Sequence, residues 1–340
     1  MNGLLSRYVS EFRGGRDLSA EDADIFLDTL IAETDEALLE NLFTAWNTKG
    51  IAEDEIYSLA RIMRDGCTRV RSNFDSFVDI VGTGGSRTKT FNVSTAAAFI
   101  VAGAGIPVAK HGNKAATSNS GSADVLSALG VKPDVDAAVA ERNLNELGIC
   151  FMFAPNFHRL SPTLGKVRRR LGFPTIFNCV GPLCNPANAP HQLIGVWDES
   201  LLPKMAAAIA RLGARKSWIV HGNGGTDEIS LDGLTKVAEV EGGTVRTFEI
   251  SPDEFNISPV LSDAVENLSP NESASVIRRV LSNELKGSAA EGVVMINAMA
   301  AIYLCGGSKK IPTAFDVAIE SIRSGSALRK LIQLAEAAAV

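Results

Sequence analysis

The chain has 340 residues, of which 46% are hydrophobic, so it can bury two cores or one large core with an appendage. A formal net charge of −6 without a long basic run argues against nucleic acid as the main partner. With no apolar run of 18 uncharged residues and no charged-then-apolar leader, the sequence predicts a cytoplasmic protein without a membrane span. The five cysteines lack C-x-x-C spacing, which predicts reduced thiols rather than zinc ligands or disulfides.

The first part of the chain, residues 1–70, predicts an all-helical domain. Apolar residues recur there at spacings of three and four, as in the stripe of Leu38, Leu39, Leu42 and Phe43. Stripes of this kind are typical of helices that pack into a core, so we expect these residues to be structural.

The periodicity changes near residue 75, and the sequence predicts a large α/β domain over residues 71–340. Short β-like runs alternate with helical stretches, which is typical of a central, mainly parallel sheet. Residues 158–185 interrupt this alternation, and we expect them to join the helical domain. Residues 271–340 predict helices, with a long one over residues 289–304. The predicted strands are residues 77–81, 106–110, 150–154, 192–196, 217–221 and 245–249.

A glycine loop directly follows the first predicted strand. The run Gly82-Thr83-Gly84-Gly85 leaves backbone N–H groups uncovered, and hydroxyl groups before residue 96 are expected to cap the next helix. An ordinary βα turn is the simpler explanation, but the density of donors favours a phosphate site. The spacing matches neither a P-loop nor a dinucleotide fingerprint. The donors are Thr83, Arg87, Lys89, Thr90, Asn92, Ser94 and Thr95.

Two further polar loops follow predicted strands. Lys110 and His111 end the second strand beside Gly112 and Asn113, which suggests a positive charge directed at an anion, and Ser120 or Ser122 is expected to cap the helix that follows. His111 is either a ligand contact or a histidine satisfied within its loop, and the sequence leaves both open.

The third polar loop contains adjacent carboxylates, Asp227 and Glu228. On a glycine-rich loop both carboxylates can bind one Mg²⁺ ion. The simpler explanation is that Asp227 caps a helix and Glu228 is exposed to solvent. Among Arg168, Arg169 and Arg170, one arginine can face a carboxylate while Arg169 and Arg170 are expected to be solvated. Because the carboxyl ends of strands share one edge of the sheet, these loops predict a site for magnesium and a polyphosphate.

Taken together, these motifs resemble the anthranilate phosphoribosyltransferase family over nearly the whole chain. Members resemble pyrimidine nucleoside phosphorylases in fold, with a small helical domain and a large α/β domain, and the resemblance implies a homodimer formed through the helical domain. The motifs are Gly82-Thr-Gly-Gly85, Asn92-Val-Ser-Thr95, Lys110-His-Gly-Asn113, Gly121-Ser-Ala-Asp124, Gly181-Pro182 with Asn185-Pro-Ala187, and Asp227-Glu-Ile-Ser230.

The resemblance implies Mg²⁺-dependent transfer of 5-phosphoribosyl from phosphoribosyl pyrophosphate to the amine of anthranilate, in tryptophan biosynthesis. It assigns no general base, and gives Lys110 the role of balancing the leaving-group charge. The implied phosphoribosyl pyrophosphate contacts are Gly82, Thr83, Gly84, Gly85, Thr90, Asn92, Ser94, Thr95, Lys110 and Ser122. The implied anthranilate contacts are His111, Asn113, His158, Arg168 and Gly181, and the implied metal ligands are Ser94, Asp227 and Glu228.

The sequence departs from the family pattern in three places. Ser86 and Arg87 replace the usual acid and glycine after the glycine loop, Lys114 replaces an arginine, and Arg159-Leu-Ser161 follows His158 in place of a Pro-Ala-Met segment. The last departure leaves open a related transferase with a different aromatic or amine acceptor. The sequence also leaves open a nucleoside phosphorylase, which the carboxylate pair disfavours, and a non-catalytic nucleic-acid-binding relative, which the acidic composition disfavours.

Overall fold

The computed structural model describes residues 2–86, 91–114, 120–255, 268–308 and 311–337. Its N-terminal part is helical, with α1 (Asn2–Arg13), α2 (Ala23–Ala32), α3 (Glu36–Lys49) and α4 (Glu53–Asp65). Aromatic rings fill the centre of this part; those of Phe12 and Trp46 lie 4.7 Å apart, centroid to centroid. Asp35 begins α3, because its carboxylate accepts the backbone N–H groups of residues 37 and 38.

Seven strands of the described chain form one sheet in the order β3-β2-β1-β4-β5-β6-β7. The first five strands in this order are parallel, and the last two form an antiparallel hairpin at one edge. The predicted α/β fold with a mainly parallel sheet is therefore confirmed. The strands are β1 (Val78–Gly82), β2 (Val108–Gly112), β3 (Ile149–Phe153), β4 (His191–Gly195), β5 (Lys216–His221), β6 (Thr235–Glu241) and β7 (Thr244–Ile250). The sequence analysis did not predict β6.

Helices cover both faces of this sheet. On one face, α5 is buried along almost its whole length against the sheet and the C-terminal helices, and α13 is the long helix predicted over residues 289–304. These helices are α5 (Val93–Gly103), α6 (Ser122–Ala128), α7 (Ala137–Leu147), α8 (Ala154–Phe157), α9 (Pro162–Leu171), α10 (Ile176–Leu183), α11 (Leu201–Arg211), α12 (Pro270–Leu281), α13 (Ala289–Leu304), α14 (Ile311–Arg323) and α15 (Ser326–Ala337).

On the other face, α9, α10 and α11 share a hydrophobic core with the N-terminal helices. The rings of Phe43 in α3 and Phe177 in α10 lie 6.2 Å apart. Arg169 and Arg170 are both exposed, as expected, and Arg170 in addition pairs with Glu36 of α3 at 2.8 Å. Aromatic packing and ion pairs therefore attach this segment to the N-terminal helices.

The five cysteines are free thiols, as predicted. Cys150, Cys179 and Cys184 are buried, and burial raises the pKa of each thiol, so they are weak nucleophiles. No helix in the described ranges is both long enough and apolar enough to cross a membrane.

The strand order changes direction between β1 and β4. From β1 the chain adds β2 and β3 on one side, then returns to place β4 on the other side of β1. In an open α/β sheet, the loops at the carboxyl ends of strands diverge at such a point and leave a crevice. The loops after β1 and β2 meet at this edge of the sheet.

Candidate functional site

One cavity of about 300 Å³ opens at the carboxyl ends of β1 and β2 and extends to α4, α9 and α10. It brings together most of the residues implied from the sequence. Thr95 does not line it: this residue is fully buried, and its hydroxyl has no hydrogen-bond partner in the described chain. Thr90 lies outside the described residues. The residues that do line the cavity are Gly82, Thr83, Gly84, Gly85, Asn92, Ser94, Lys110, His111, Asn113, Ser122, His158, Arg168, Gly181, Asp227 and Glu228.

Asp227 is turned toward the glycine loop. One carboxylate oxygen accepts the N–H of Gly84 at 2.8 Å, and the other accepts the hydroxyl of Ser86. The backbone N–H of Asp227 in turn donates to the Ser86 hydroxyl at 3.0 Å. Ser86, which replaces the acid usual in the family, therefore holds Asp227 in place, a role that the sequence analysis did not identify.

Two glycines are required by the close approach of this acidic segment. A Cβ atom on Gly195, at the end of β4, would lie 1.6 Å from the carbonyl oxygen of Asp227, and one on Gly82 would lie 2.4 Å from its carboxylate. Gly84 and Gly85 adopt positive φ angles of 65° and 83°, as expected of this loop. The glycine loop thus serves the acidic segment, and the backbone N–H groups of Thr83 and Gly84 are used within the protein, as donors to Gly195 and Asp227.

The Asp227 carboxylate forms no salt bridge within the described chain, and burial raises its pKa. Glu228 lines the same cavity and lies close enough to Lys110 to interact with its charge. The described residues contain no cluster of three or more His, Cys, Asp or Glu side chains that could enclose a metal. Two oxygen ligands without a complete cage are typical of a magnesium site that substrate phosphates complete.

Lys110 is buried beneath the glycine loop. Its ammonium group donates to the backbone carbonyl of Ile80 and, at 3.2 Å, to the hydroxyl of Ser94. Burial lowers the pKa of Lys110 to about 8, and the charges of Asp79 and Glu228 oppose this effect only in part. Lys110 therefore supplies a poorly solvated positive charge next to the predicted phosphate and metal ligands.

The expected helix caps are replaced by contacts between the two polar loops. The side chain of Asn92 makes no cap for α5; it donates to the carbonyl of Ser120 at 3.3 Å and accepts the Ser120 hydroxyl at 2.9 Å. Neither Ser120 nor Ser122 caps α6, whose N-cap is Gly121, with Asp124 accepting its N–H at 3.1 Å. These contacts fix the first and second loops relative to each other.

Asp79 lies below the cavity and was not assigned a role from the sequence. This fully buried carboxylate accepts the backbone N–H of His111 at 3.1 Å and the side-chain amide of Asn185 at 2.8 Å. Burial raises the pKa of Asp79 to about 6. An acid inside an apolar strand is the sequence feature that could have identified it.

Two histidines face each other at the far end of the cavity. The rings of His111 and His158 lie 5.1 Å apart, edge to face, and both are nearly inaccessible to solvent. Burial holds the pKa of His111 well below its usual value and lowers that of His158 to about 4, so both are neutral at pH 7. The Nε2 atom of each ring is buried without a hydrogen-bond partner in the described chain.

Arg168 lines the same cavity as these histidines and the glycine loop. Its guanidinium sits 5.1 Å from the centre of the Phe177 ring and donates one long hydrogen bond, 3.4 Å, to Asn178. Its Nε atom is shielded and has no partner within the described ranges, and burial lowers its pKa to about 10. A partly buried guanidinium without a carboxylate partner is suited to bind a ligand carboxylate through two parallel hydrogen bonds.

Asn178 connects the two ends of the cavity. Besides accepting from Arg168, its side chain donates to the backbone carbonyl of Thr83 in the glycine loop at 3.0 Å. The sequence analysis assigned it no role. The arrangement as a whole can hold an anion with a metal at one end and a small carboxylate at the other.

Comparison with known proteins identifies the family. Residues 75–328 match the family model described as the glycosyl transferase family, a/b domain. The chain is 41% identical over 329 residues to the anthranilate phosphoribosyltransferase of Rhodopirellula baltica, and the match covers 96% of each chain. The chain belongs to the anthranilate phosphoribosyltransferase family. The enzyme of that name from Pelotomaculum thermopropionicum is 40% identical over 98% of this chain and 96% of its own.

Solved structures of this family share the fold. The anthranilate phosphoribosyltransferase of Thermus thermophilus superimposes with a TM-score of 0.88 at 35% identity, covering 98% of this chain and 99% of its own. The Saccharomyces cerevisiae enzyme in complex with phosphoribosyl pyrophosphate and Mg gives a TM-score of 0.89 at 28% identity, covering 99% and 98%. The family resemblance inferred from the motifs is therefore confirmed.

Proposed function

We propose that this chain is a pentosyltransferase that moves 5-phosphoribosyl from phosphoribosyl pyrophosphate to the amine of anthranilate and releases pyrophosphate, in tryptophan biosynthesis. One observation carries the proposal. A single cavity is lined by the glycine loop, by Asp227 and Glu228, and by Arg168, which has no carboxylate partner in the described chain. The names of the relatives and of the solved neighbours agree with it.

The donor end fits a magnesium-bound polyphosphate. We assign Ser94, Asp227 and Glu228 to the metal, because all three line one cavity and Asp227 is a half-buried carboxylate without a salt bridge in the described chain. Bound Mg²⁺ would supply positive charge to the departing pyrophosphate. Thr83 and Gly84 already donate their backbone N–H groups to Gly195 and Asp227, so we assign the backbone of Gly82 to Gly85 to the walls of the phosphate site, with the N–H of Gly85 and the ammonium of Lys110 directed at the same group. The remaining donor contacts that we assign are Asn92, Ser122 and Thr90; Thr95 is buried outside the cavity and is not assigned.

The acceptor end fits a small aromatic acid. We assign Arg168 to the carboxylate of anthranilate, and Asn113 and Gly181 to the walls of its path. His111 and His158 are neutral and offer two Nε2 atoms without partners among the described residues, so they can hydrogen-bond to the acceptor without breaking a contact that the structure shows. The amine of anthranilate is itself mostly neutral at pH 7, so positioning replaces a strong general base.

The proposal extends to the organisation of the protein. We infer a helical domain of residues 1–70 joined by residues 158–185, an α/β domain of residues 71–340, a homodimer formed through the helical domain, and a cytoplasmic location. The shared core of α3, α4, α9 and α10 supports the first division. Sedimentation should give about twice the protomer mass of 36.0 kDa, and a mass of one protomer would contradict the dimer.

A continuous fluorescence assay tests the reaction. The anthranilate signal should fall only when phosphoribosyl pyrophosphate and Mg²⁺ are both present. The double variant Asp227→Asn with Glu228→Gln should lose turnover by about three orders of magnitude while keeping its far-UV circular dichroism. Asp232→Asn, an exposed acid on the same loop, is the matched control. Near-normal turnover in the double variant would contradict the metal assignment.

A transferase for a different aromatic amine is the second candidate. Leu160, within the segment that departs from the family pattern, lines the cavity next to His158. A panel of anthranilate, 4-aminobenzoate and aniline discriminates between the two. Preference for anthranilate by at least tenfold in kcat/KM supports the first proposal, and equal use of aniline removes the role of Arg168.

A further inference from the structure

A second cavity, the rear cavity, lies at the opposite edge of the sheet from the candidate active site. It has a volume of about 550 Å³ and shares no lining residue with the active-site cavity. Its walls come from the end of α4, the segment that leads into β1, and the turns that precede β4 and β5. The charged residues that line it are Arg64, Arg71, Arg215 and Asp75.

Arg64 is the buried member of this group. Its Nη1 atom donates to the side-chain oxygen of Asn188 at 2.9 Å and to the carbonyl of Leu212 at 3.2 Å, and its Nε atom donates to the carbonyl of Leu183. All these acceptors are neutral. The Nη2 atom makes no hydrogen bond within the described chain, and it is not among the fully shielded atoms. Arg64 thus presents an unused donor to the rear cavity.

Arg71 and Arg215 are exposed at the mouth of the rear cavity. Arg215 donates to the backbone carbonyl of Asp75 at 2.8 Å, and the backbone N–H of Arg71 donates to the carboxylate of Glu141 at 2.8 Å. Neither guanidinium forms a salt bridge with a described carboxylate. Asp75 is the only carboxylate among the described lining residues, so three positive charges against one negative leave a balance of +2.

The positive balance is unusual on a chain whose net charge is −6. A buried cation with only neutral acceptors is poorly compensated, and burial lowers the pKa of Arg64. Guanidinium groups that line one cavity suit an oxyanion, because each group can donate two parallel hydrogen bonds.

We propose that the rear cavity binds a small oxyanion of the phosphate class that carries two negative charges. The anion would accept from Nη2 of Arg64 and from the guanidinium groups of Arg71 and Arg215. It would join three segments that are distant in sequence, and so would stabilise the folded state. Binding there does not depend on the transferase reaction, because none of these residues lines the active-site cavity.

The location is tested by soaking crystals of the unmodified protein in tungstate and measuring anomalous scattering. A peak within hydrogen-bonding distance of Arg64, Arg71 and Arg215 is expected, whether or not a second peak appears in the active site. A peak only in the active site, or no peak, overturns the proposal.

Affinity in solution is tested by calorimetric titration with inorganic phosphate. Arg71→Gln and Arg215→Gln change exposed side chains, so the variants should fold, and each should weaken binding about tenfold through the loss of a charge-assisted hydrogen bond. Arg323→Gln, an exposed arginine without an ion pair in the described chain, should bind like the unmodified protein.

The double variant Asp227→Asn with Glu228→Gln distinguishes phosphate binding in the rear cavity from phosphate binding in the active site. It should retain phosphate binding to the rear cavity. Loss of all phosphate binding in that variant, together with unchanged binding in Arg71→Gln and Arg215→Gln, overturns the proposal and leaves the transferase assignment untouched.

Discussion

The two ends of the active-site cavity are built in different ways. At the donor end, the Asp227 carboxylate is already satisfied by the N–H of Gly84 and the hydroxyl of Ser86. At the acceptor end, polar atoms of His111, His158 and Arg168 are buried without partners in the described chain. Burying an unsatisfied polar group costs about 1 to 3 kcal/mol, so the protein retains these groups at a cost to stability. The end with Asp227 is preorganised by close packing, whereas the end that we assign to the acceptor keeps polar atoms available for a ligand.

The sharpest test of the packing at the donor end is Gly195→Ala. The added Cβ atom would lie 1.6 Å from the carbonyl oxygen of Asp227, so the acidic segment must move. We expect turnover to fall about 100-fold or more and the free energy of unfolding to fall by about 1 to 3 kcal/mol. Gly3→Ala, where nothing lies within 4 Å of the new atom, is the control. Unchanged kinetics in Gly195→Ala would show that the position of Asp227 is not critical.

The variant Arg168→Ala tests whether the carboxylate of anthranilate is the partner that the Arg168 guanidinium lacks. If anthranilate supplies the carboxylate, its KM should rise about 10- to 100-fold with little change in the KM of phosphoribosyl pyrophosphate. Arg168→Lys should recover only part of the loss, because an ammonium group cannot donate in parallel. The neighbouring Arg169→Ala should behave as the unmodified enzyme. A change confined to the KM of the donor would reverse the assignment.

The cost of the unpartnered histidines should appear in the pH dependence of stability. Because the pKa of His158 is lowered from 6.5 to about 4, the unfolded chain binds more protons between these values, and stability falls as the pH falls through that range. Between pH 7 and pH 5, His158 alone should lower the free energy of unfolding by about 2 kcal/mol. His111 acts in the same direction, whereas Asp79, whose pKa is raised to about 6, acts in the opposite one.

Comparison with His158→Gln isolates the contribution of this histidine, because His111 and Asp79 remain in both proteins. We expect the free energy of unfolding, measured in urea, to fall between pH 7 and pH 5 by about 2 kcal/mol less in the variant than in the unmodified protein. Equal losses in the two proteins would mean that His158 titrates normally in the folded state.

The smallest effect is expected from Ser86→Ala. The change removes a hydroxyl that donates to the Asp227 carboxylate and accepts its N–H, but the bond from Gly84 remains. The Mg²⁺ concentration at half-maximal rate should rise about tenfold. Ser86→Thr keeps the hydroxyl and should restore most of the affinity. If alanine has no effect, Gly84 and the local packing suffice to orient Asp227.

Much of the fold follows from local patterns that the sequence displays. The alternation of apolar runs and helical stripes predicted six of the seven described strands. It missed β6, where charged residues interrupt the apolar pattern. Glu239 of β6 is nevertheless fully buried. Its carboxylate accepts hydrogen bonds from Trp218 at 2.7 Å and from Arg246 at 2.6 Å, and these bonds offset the cost of burying the charge. Those partners lie on neighbouring strands, so only strand pairing reveals why an acid is tolerated there.

The residues of the candidate site also fall into those that the sequence predicts and those that only the structure reveals. The glycine loop after β1, the Lys110 loop after β2 and the acidic pair were recognisable from the sequence, because each motif is local and follows a strand. The expected cap at Ser120 or Ser122 was wrong, since Gly121 is the N-cap of α6, and the side chain of Asn92 binds Ser120 across the loops instead of capping α5. Asn178 and Ser86 were missed because their roles depend on contacts between residues about 100 positions apart or more.

Periodicity and motif spacing are properties of short segments, so the class of fold, the order of the polar loops and the family could all be read from the amino-acid sequence. Three features required the folded chain: β4 returns beside β1, Asp227 presses against Gly82 and Gly195, and Arg64, Arg71 and Arg215 line one cavity at the rear of the sheet. Such contacts arise from the packing of distant segments, and the free energy that selects them is shared over the whole core.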